Sequence, residues 1–354
     1  MLGILGFLTS LAAAHTPEAN AESGYVVAAN WRINPNNPPV YQLEVTRQYT
    51  SSFLESGLRT LIASTTSEDV FGPMFTAFDQ TSWTMFVTIT NRNLISASLY
   101  GLTISSYVNT TKALTPARVT FYYPEADMVM VGMELYTNPA TGLLAPLVIM
   151  RDGTVLEVNA TTGGASVLVD LVDDTKILTG AIETSPDQST MYLITQDFIG
   201  TSGLDLITLN LRTADYTVMD VLPAPGQSTL LEAPFEMVWA NAAQSLLVFF
   251  TGVVDQVTYL NTRTGTSSWA IPDLSAFRGQ IGHLDITMSE DFPDDSWNNA
   301  CVDQIKNILY FQCSDVGDES STFAANALCM AKVSSAQTQL AVCTKIAVSY
   351  PLLV

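Results

Sequence analysis

A short motif repeats at a constant interval in the middle of the chain. The pattern Asn-x-x-Thr followed by Gly or Ala begins at Asn159, Asn210 and Asn261, which lie 51 positions apart. Sequence periods of roughly 20 to 50 residues are the signature of repeat architectures. The motif therefore predicts that one supersecondary unit is copied along the chain.

Each copy of the motif separates two apolar-alternating runs of strand length, such as VLEV before and ASVLVDL after Asn159. Alternation of this kind around a turn predicts a β-hairpin. In such a turn the Asn side chain hydrogen-bonds the backbone two residues on, and the closing residue adopts a left-handed conformation. Gly163 and Gly265 suit that closing position better than Ala214 does.

A second hairpin precedes each motif and combines a polar turn with a strongly β-forming run, as in PDQSTMYLIT from Pro186. Looser copies around Thr103 and Lys332 extend the series in both directions. Every unit then contains about four short strands, which is the composition of a β-propeller blade. We expect an all-β propeller of six four-stranded blades, and seven blades also fit the length.

The first unit, residues 25–55, lacks an innermost strand, whereas the sequence printed here ends in the apolar segment AVSYPLLV. We expect this C-terminal strand to complete the first blade and close the ring, because an open ring leaves strand edges exposed. The turns and strands quoted above resemble those of β-propeller repeat proteins in general. Neither the Trp-Asp dipeptide of WD40 blades nor the recurring Gly-Gly pairs of kelch blades occurs, so the resemblance indicates no single family.

The N-terminus carries an apolar run from Leu2 to Ala14, with small-residue cleavage patterns that end at Ala14 and Ala21. A run of this length is too short to span a bilayer and is typical of a secretory signal peptide. We expect residues 1–21 to be a signal peptide, residues 22–354 to form one propeller domain, and the protein to be secreted. No later stretch has the roughly 18 apolar residues of a membrane helix.

Two sequons and four cysteines agree with a secretory route. Asn109 and Asn159 each begin an acceptor sequence for N-glycosylation. An even number of cysteines in an exported chain indicates disulfides; zinc binding is the alternative, but no C-x-x-C pair is present. The spacing around predicted hairpin turns favours two pairs: Cys329 with Cys343, and Cys301 with Cys313.

The charge balance bears on the partners of the protein. The chain has 34 acidic and 14 basic residues, a formal net charge of −20 at pH 7. Such an excess repels nucleic acid and anionic lipid headgroups, so we expect neither as a partner. Solubility is the plain interpretation of the charge, and attraction of cations or basic partners is the alternative.

The densest acidic stretch is GHLDITMSEDFPDDSW, from Gly282 to Trp297. Loops rich in carboxylates bind calcium when their oxygens converge, which makes this stretch a candidate calcium site. Its candidate ligands are Asp285, Asp291, Asp294 and Asp295. The spacing does not match an EF-hand loop, and a solvated charged face is the competing interpretation.

The histidines and tryptophans are the other candidates for metal binding or surface recognition. His283 is the one histidine expected in the folded body, so a multi-histidine metal site is not expected. Of the five tryptophans, Trp83, Trp239 and Trp269 lie in predicted strands and are expected in the core. Trp31 and Trp297 are the candidates for surface binding, where an exposed ring stacks on a sugar or anchors a partner.

Two functional hypotheses follow from this pattern. Scarce histidine and the absence of a G-x-S-x-G elbow, a phosphate loop or a cofactor motif favour a secreted or cell-surface, non-enzymatic binding or scaffold module. Its partner would be a protein or a glycan, and an extracellular coat subunit is a variant. The alternative is a calcium-dependent hydrolase that resembles six-bladed lactonases or esterases, with the metal in the central channel. Whether the protein is an enzyme stays open at this point.

Overall fold

A computed structural model describes the following residues: 9–14, 25–34, 40–49, 55–65, 74–79, 84–90, 96–103, 117–122, 129–171, 176–197, 203–226, 233–251, 256–272, 283–284, 300–304, 307–316, 325–337, 340 and 342–347. Over these residues all regular structure is β-strand, in 25 strands that form six sheets. The all-β prediction is therefore confirmed.

Five sheets have four antiparallel strands each, paired in chain order. The first contains β1 (Thr9–Ala14), β2 (Tyr25–Asn34), β3 (Val40–Tyr49) and β4 (Glu55–Thr65). The second contains β5 (Met74–Asp79), β6 (Thr84–Thr90), β7 (Ser96–Thr103) and β8 (Ala117–Tyr122). The third contains β9 (Met130–Thr137), β10 (Leu144–Met150), β11 (Thr154–Val158) and β12 (Ala165–Asp170). The fourth contains β13 (Lys176–Thr184), β14 (Thr190–Asp197), β15 (Asp205–Asn210) and β16 (Tyr216–Asp220), and the fifth contains β17 (Ala233–Ala240), β18 (Ser245–Thr251), β19 (Gln256–Leu260) and β20 (Ser267–Ile271).

The sixth sheet has five strands. They are β21 (His283–Leu284), β22 (Ala300–Asp303), β23 (Ile308–Val316), β24 (Ala325–Lys332) and β25 (Val342–Ala347). Both β21 and β22 pair with the same edge of β23, β22 opposite residues 308–311 and β21 opposite residues 315–316. Two short strands thus share the place that one strand takes in the other sheets.

The sheets are arranged in a ring. We call the first strand of each sheet, together with β22, the inner strands, and the last strand of each sheet the outer strand. β1 lies beside β5, β5 beside β9, β9 beside β13, and β13 beside β17. β22 lies beside both β17 and β1, so the inner strands form a closed ring. This arrangement of antiparallel sheets is a β-propeller.

The core lies between neighbouring sheets. One cluster joins the third sheet to the fourth, for example through Val155 and Ile207, while Leu156 faces the second sheet instead. Successive residues of a strand point to opposite faces, so β11 contributes to both clusters. Because a blade is buried on both faces, its central strands read as continuous apolar runs such as SLLVFFT in β18.

The predicted number of four-stranded blades is wrong. The described chain contains five four-stranded blades, not six or seven, and the remaining sheet has five strands. The physical reason lies in the inner position of that last sheet, which β21 and β22 divide between them. A local hydrophobic pattern does not encode the sharing of one edge by a two-residue strand and a four-residue strand that are separated by residues 285–299.

The predicted closure also differs from the described ring. Ala347 ends β25, which pairs with β24 as an outer strand, and residues 348–354 of the proposed closing segment lie outside the described residues. The inner strand of the first sheet is β1, from within the predicted signal peptide. The signal peptide itself, and the domain boundary at residue 21, stay predictions.

The repeated Asn motif forms the turn before the outer strand, as predicted. The Oδ1 atoms of Asn159, Asn210 and Asn261 each accept the backbone N–H two residues on, at 2.9 Å. The fifth residue of each turn donates its N–H back to the Asn carbonyl at 2.8 to 2.9 Å. That residue has φ of 74° at Gly163, 60° at Ala214 and 67° at Gly265, the left-handed conformation that the motif predicts.

A fourth copy of the motif was missed because it lies in a different hairpin. The sequence NPATG from Asn138 forms the turn between β9 and β10, with Ala140 N–H to Asn138 Oδ1 at 2.8 Å and φ of 67° at Gly142. It breaks the interval of 51 positions because it precedes the second strand of the sheet rather than the outer one.

Two turns of the motif also pack against the preceding sheet. A Cβ at Gly163 would lie 2.4 Å from the carbonyl oxygen of Thr120 on β8, and one at Gly265 would lie 2.1 Å from that of Asp220 on β16. Just after β16, Leu222 forms a parallel bridge with Thr266. The motif therefore links neighbouring blades as well as neighbouring strands.

Candidate functional site

Three consecutive inner strands each carry one glutamate in an otherwise apolar run. Glu134 lies on β9 (MVGMELYT), Glu183 on β13 (KILTGAIET) and Glu236 on β17 (APFEMVWA). These strands are neighbours around the ring, and the carboxyl groups of Glu134 and Glu236 lie close enough to Glu183 to act on it electrostatically. We call this set the glutamate cluster.

Each member of the glutamate cluster accepts at least one hydrogen bond from the protein. Glu134 accepts a bond from the hydroxyl of Thr184 at 3.0 Å, Glu183 accepts the backbone N–H of Trp239, and Glu236 accepts the N–H of Met237 at 3.2 Å. Burial raises the pKa of Glu134 to about 7. The pKa of Glu183 is raised well above its usual range, first by burial and then by the charges of Glu134 and Glu236. Ionising the whole cluster is therefore unfavourable without a cation nearby.

Another carboxylate, Glu157 on β11, is held by the side chains of two neighbouring residues. It accepts bonds from the hydroxyl of Tyr136 and, at 2.8 and 2.9 Å, from the amide of Asn138. Burial and the bond to Glu157 raise the pKa of the Tyr136 hydroxyl, so it stays a donor. This group is internally satisfied and joins β9 to β11, which is a structural role.

No group of three or more His, Cys, Asp or Glu side chains is arranged to hold a metal ion within the residues that the structure describes. The glutamate cluster thus has the charge for a cation without a converged set of ligands. The predicted calcium ligands, Asp285, Asp291, Asp294 and Asp295, lie outside the described residues. The calcium site at these aspartates stays a prediction.

The two tryptophans proposed for surface binding are not tested. Trp31 lies on β2, where only the backbone is described, and Trp297 lies outside the described residues. Two tryptophans expected in the core are instead half-buried. Trp239 stacks on Tyr192 with ring centroids 5.7 Å apart, and the indole N–H of Trp269 donates to the carbonyl of Pro225 at 2.9 Å.

The predicted disulfides stay predictions, but the backbone register bears on them. Cys301 lies opposite Tyr310, three positions from Cys313 along β23. Three positions correspond to about 10 Å, beyond the roughly 7 Å that a disulfide bridges between Cα atoms. Cys329 lies opposite Lys345, two positions from Cys343, which falls at an irregularity of the β24–β25 ladder. A disulfide between Cys329 and Cys343 therefore needs a smaller movement of the backbone than one between Cys301 and Cys313.

The two sequons differ in what the structure describes. Asn109 lies outside the described residues. Asn159 is exposed, and its Oδ1 atom is engaged in the turn with the N–H groups of Thr161 and Thr162, both at 2.9 Å. Use of either sequon stays a prediction.

Exposed apolar side chains concentrate at the outer strands. Four of the six large exposed apolar residues in the described part lie on or just after an outer strand: Val167 on β12, Tyr216 and Val218 on β16, and Leu222. The strands themselves show the pattern, with most residues of β12 and β16 open to solvent. The outer strands therefore offer exposed apolar side chains that a partner molecule could contact.

In the part of the chain that is described, no helix has the length and apolarity needed to cross a membrane.

Comparison with known proteins identifies no family. Neither a protein-family model nor a characterised protein sequence matches the chain. Among solved structures, the chain is similar to the WD40 repeats of RRP9, with 9% identity, 90% of this chain and 78% of that chain covered, and a TM-score of 0.45. It is similar to Sqt1 of Saccharomyces cerevisiae, with 12% identity, 91% and 93% covered, and a TM-score of 0.42. A putative 6-phosphogluconolactonase from Bacteroides uniformis has 13% identity, 74% and 85% coverage, and a TM-score of 0.41. Similarity this distant carries no conclusion about function, and the chain is a β-propeller repeat protein of no specific family.

The glutamate cluster was missed in the sequence. Its signal was a lone Glu inside an apolar strand-forming run, repeated in three successive units as GMEL, AIET and FEMV. A carboxylate in such a run is rarely buried without a reason. These three residues lie outside the dense acidic stretches of the sequence, and their strands become neighbours only in the ring.

Proposed function

We propose that the protein is an exported, non-enzymatic binding or scaffold module that engages a protein or glycan through the periphery of its propeller. The observation that supports this most directly is the exposure of Val167, Tyr216, Val218 and Leu222 at the outer strands. Tyr216 and Val218 project from one face of β16, and apolar side chains grouped on a surface favour an interaction site over a solvated face.

The charge of the chain narrows the partner. At −20 the protein attracts basic surfaces at long range and repels acidic ones. An extracellular basic protein, or a glycan bound by stacking and hydrogen bonds, fits this surface. Nucleic acid and anionic membranes do not fit it.

The test is binding of the purified, exported protein to a glycan array and to fractionated extracellular proteins of the source culture. We expect a partner that saturates on titration and whose affinity falls as salt rises, because exposed charges are screened within about 10 Å at 0.1 M salt. Absence of saturable binding to both sets would contradict the proposal.

The glutamate cluster favours a second candidate, the calcium-dependent hydrolase. Burial raises the pKa values of Glu134 and Glu183, and the neighbouring charges of Glu134 and Glu236 raise that of Glu183 further; a divalent cation in the channel would stabilise the ionised forms of both carboxyl groups. In the hydrolase such a cation would polarise the carbonyl of an ester or lactone and activate a water molecule. This candidate requires rearrangement of the side chains, because the described residues do not converge on a metal position.

Thermal unfolding with excess calcium and then with chelator separates the two candidates. A ligand at about 100 times its Kd stabilises by roughly 2.7 kcal/mol, a shift of a few degrees for a domain of this size. The hydrolase predicts that this shift occurs and is lost in Glu183→Gln. Glu157→Gln is the matched control and should keep the shift, since among the described residues Glu157 accepts bonds from the Tyr136 hydroxyl and the Asn138 amide.

The pH dependence of stability tests the glutamate cluster itself. The pKa of Glu134 is about 7 in the folded protein against 4.5 for the ordinary group, so the folded state holds a proton that the unfolded state releases. The contribution to stability is therefore full below pH about 4.5 and decreases as pH rises through 7. We expect Glu134→Gln to raise the free energy of unfolding at pH 8 by up to about 3 kcal/mol and to change it little at pH 4. Equal effects at both pH values in urea titrations would contradict the assignment.

A further inference from the structure

An aromatic pair joins the fourth and fifth sheets near the turns that follow their inner strands. The rings of Tyr192 on β14 and Trp239 on β17 are stacked, with centroids 5.7 Å apart and 6° between their planes. Tyr192 is buried, whereas Trp239 is half-buried and keeps a surface open to solvent. Because Tyr192 covers one face of the indole, the open surface lies on the other face or at the edge of the ring.

Trp239 is held in place by hydrogen bonds from three directions. Its indole N–H donates to Oδ1 of Asn241 at 2.8 Å, its carbonyl accepts the side-chain amide of Gln304 at 2.6 Å, and its backbone N–H donates to Glu183. Gln304 also accepts the backbone N–H of Asn241 at 2.9 Å, so the same side chain holds both residues. An aromatic ring that is fixed beforehand loses little conformational freedom when it binds a ligand.

Asp187 and Asn241 each use one side-chain atom to fix their orientation. Oδ1 of Asp187 accepts the hydroxyls of Ser185 and Ser189 at 2.6 and 2.8 Å, and these bonds lower the pKa of Asp187, so the group is ionised at neutral pH. Oδ1 of Asn241 accepts the indole N–H of Trp239. Within the part of the chain that the structure describes, Oδ2 of Asp187 and Nδ2 of Asn241 make no hydrogen bond to another residue. One oriented acceptor and one oriented donor thus stay available to a ligand.

These polar groups lie at the same end of the ring as the aromatic pair. Residues 185–189 and 241–244 form the turns after the inner strands of the fourth and fifth sheets, and successive hairpins place such turns at one end. Burial raises the pKa of the Tyr192 hydroxyl, a hydrogen bond with Thr262 lowers it, and the charge of Asp187 raises it, so both side chains are near that hydroxyl. Asp187 is exposed, and Thr262 is half-buried.

We propose that the aromatic pair and its polar neighbours bind an uncharged glycan, with a sugar ring against Trp239 and its hydroxyl groups at Asp187 and Asn241. Neighbouring sugar hydroxyls both donate and accept, so they satisfy the carboxylate and the amide together, whereas Lys or Arg only donates and leaves the Asn241 amide unsatisfied. Sialylated and sulfated glycans are disfavoured by Asp187 and by the net charge of −20. The inference rests on the proposed binding function for its glycan partner, but it places the glycan at the turns and not at the outer strands.

A printed array of uncharged, sialylated and sulfated glycans, incubated with the intact protein, tests the proposal. We expect binding to uncharged glycans. For the glycan bound most strongly, isothermal titration calorimetry should show a loss of affinity of at least about tenfold in Trp239→Phe, which removes the indole N–H, and in Asp187→Asn, which replaces an acceptor by a donor. Asp187→Asn keeps Oδ1 at an exposed position, so it decides the test even if Trp239→Phe lowers stability.

Trp269→Phe and Asp220→Asn are the matched controls. The indole N–H of Trp269 also bonds within the protein, to the carbonyl of Pro225, but Trp269 lies on the outer strand β20. Asp220 ends β16, at the opposite end of the fourth sheet from Asp187. Both controls should bind the glycan normally.

Three results would overturn the site. One is an affinity that is the same in the variants and in their controls, and another is binding confined to acidic glycans. The third is absence of glycan binding in a protein that still binds an extracellular protein, which would leave the proposed binding function in place. Absence of saturable binding in every assay would overturn both proposals.

Discussion

The turns at residues 138–142 and 261–265 are two copies of one motif with different surroundings. Both close with a residue at φ of 67°, and in both the Asn side chain accepts two backbone N–H groups. They differ at the glycine. A Cβ at Gly142 would meet nothing within 4 Å, whereas one at Gly265 would lie 2.1 Å from the carbonyl oxygen of Asp220. The same local sequence thus serves a free turn in one place and a contact between blades in the other.

The largest expected effect is that of Gly265→Ala. The new Cβ would collide with backbone of the preceding sheet and the residue would keep a left-handed conformation, so we expect a loss of more than about 3 kcal/mol in the free energy of unfolding. Urea titration measures it. Gly163→Ala should behave alike, because its Cβ would lie 2.4 Å from the Thr120 carbonyl. A loss near 1 kcal/mol at both positions would mean that the neighbouring sheets adjust freely.

The two turns also differ at the asparagine. Asn138 donates its amide to Glu157 in addition to capping its turn, whereas the described contacts of the Asn261 side chain lie within its own turn. We expect Asn138→Ala to cost about 2 to 3 kcal/mol and Asn261→Ala about 1 kcal/mol, because only the first leaves a carboxylate short of donors. Equal costs in thermal unfolding would show that the Glu157 bonds add nothing.

Gly142→Ala isolates the conformational term. With open space around the Cβ, the remaining cost is the left-handed backbone, about 1 kcal/mol. The comparison with Gly265→Ala then gives the contribution of packing between blades by difference. A cost at Gly142 as large as that at Gly265 would break the comparison.

Ala214→Gly is the smallest change and has the opposite sign. Ala214 closes its turn at φ of 60°, which strains an L-residue with a Cβ. We expect the variant to gain up to about 1 kcal/mol, since relief of strain outweighs the added freedom of the unfolded chain. Differential scanning calorimetry should show a rise of one to a few degrees, and a fall would contradict the assignment.

The hairpin turns could be predicted from the sequence because each Asn motif forms its hydrogen bonds within its own turn. Asn159, Asn210 and Asn261 each specify a turn through bonds within five residues, so the hairpins and the propeller follow from them. The number of four-stranded blades was wrong because it depends on β21 and β22 sharing one edge, a contact between distant segments. The copy at Asn138 escapes prediction because it lies off the 51-residue interval that relates the other three.

The glutamate cluster and the exposed face that carries Tyr216 and Val218 lie beyond the pattern for a different reason. Glu134, Glu183 and Glu236 are separated by about 50 residues in sequence and meet only because their strands are neighbours in the ring. Tyr216 and Val218 alternate in an ordinary strand pattern, which shows that they share a face but not that this face opens to solvent. The proximity of the three glutamates and the exposure of Tyr216 and Val218 are set by the tertiary structure and not by the residue types.

The bridge between Leu222 and Thr266 has a consequence for how the molecule opens. Leu222 donates to the carbonyl of Gly265 at 2.7 Å and accepts from Ser267 at 3.0 Å, so main-chain bonds run directly from the fourth blade to the fifth. Amide exchange that requires separation of these blades must break both bonds together with the packing around them. We therefore expect the two blades to exchange hydrogen as one cooperative unit, and a blade boundary in sequence is then not a boundary in unfolding.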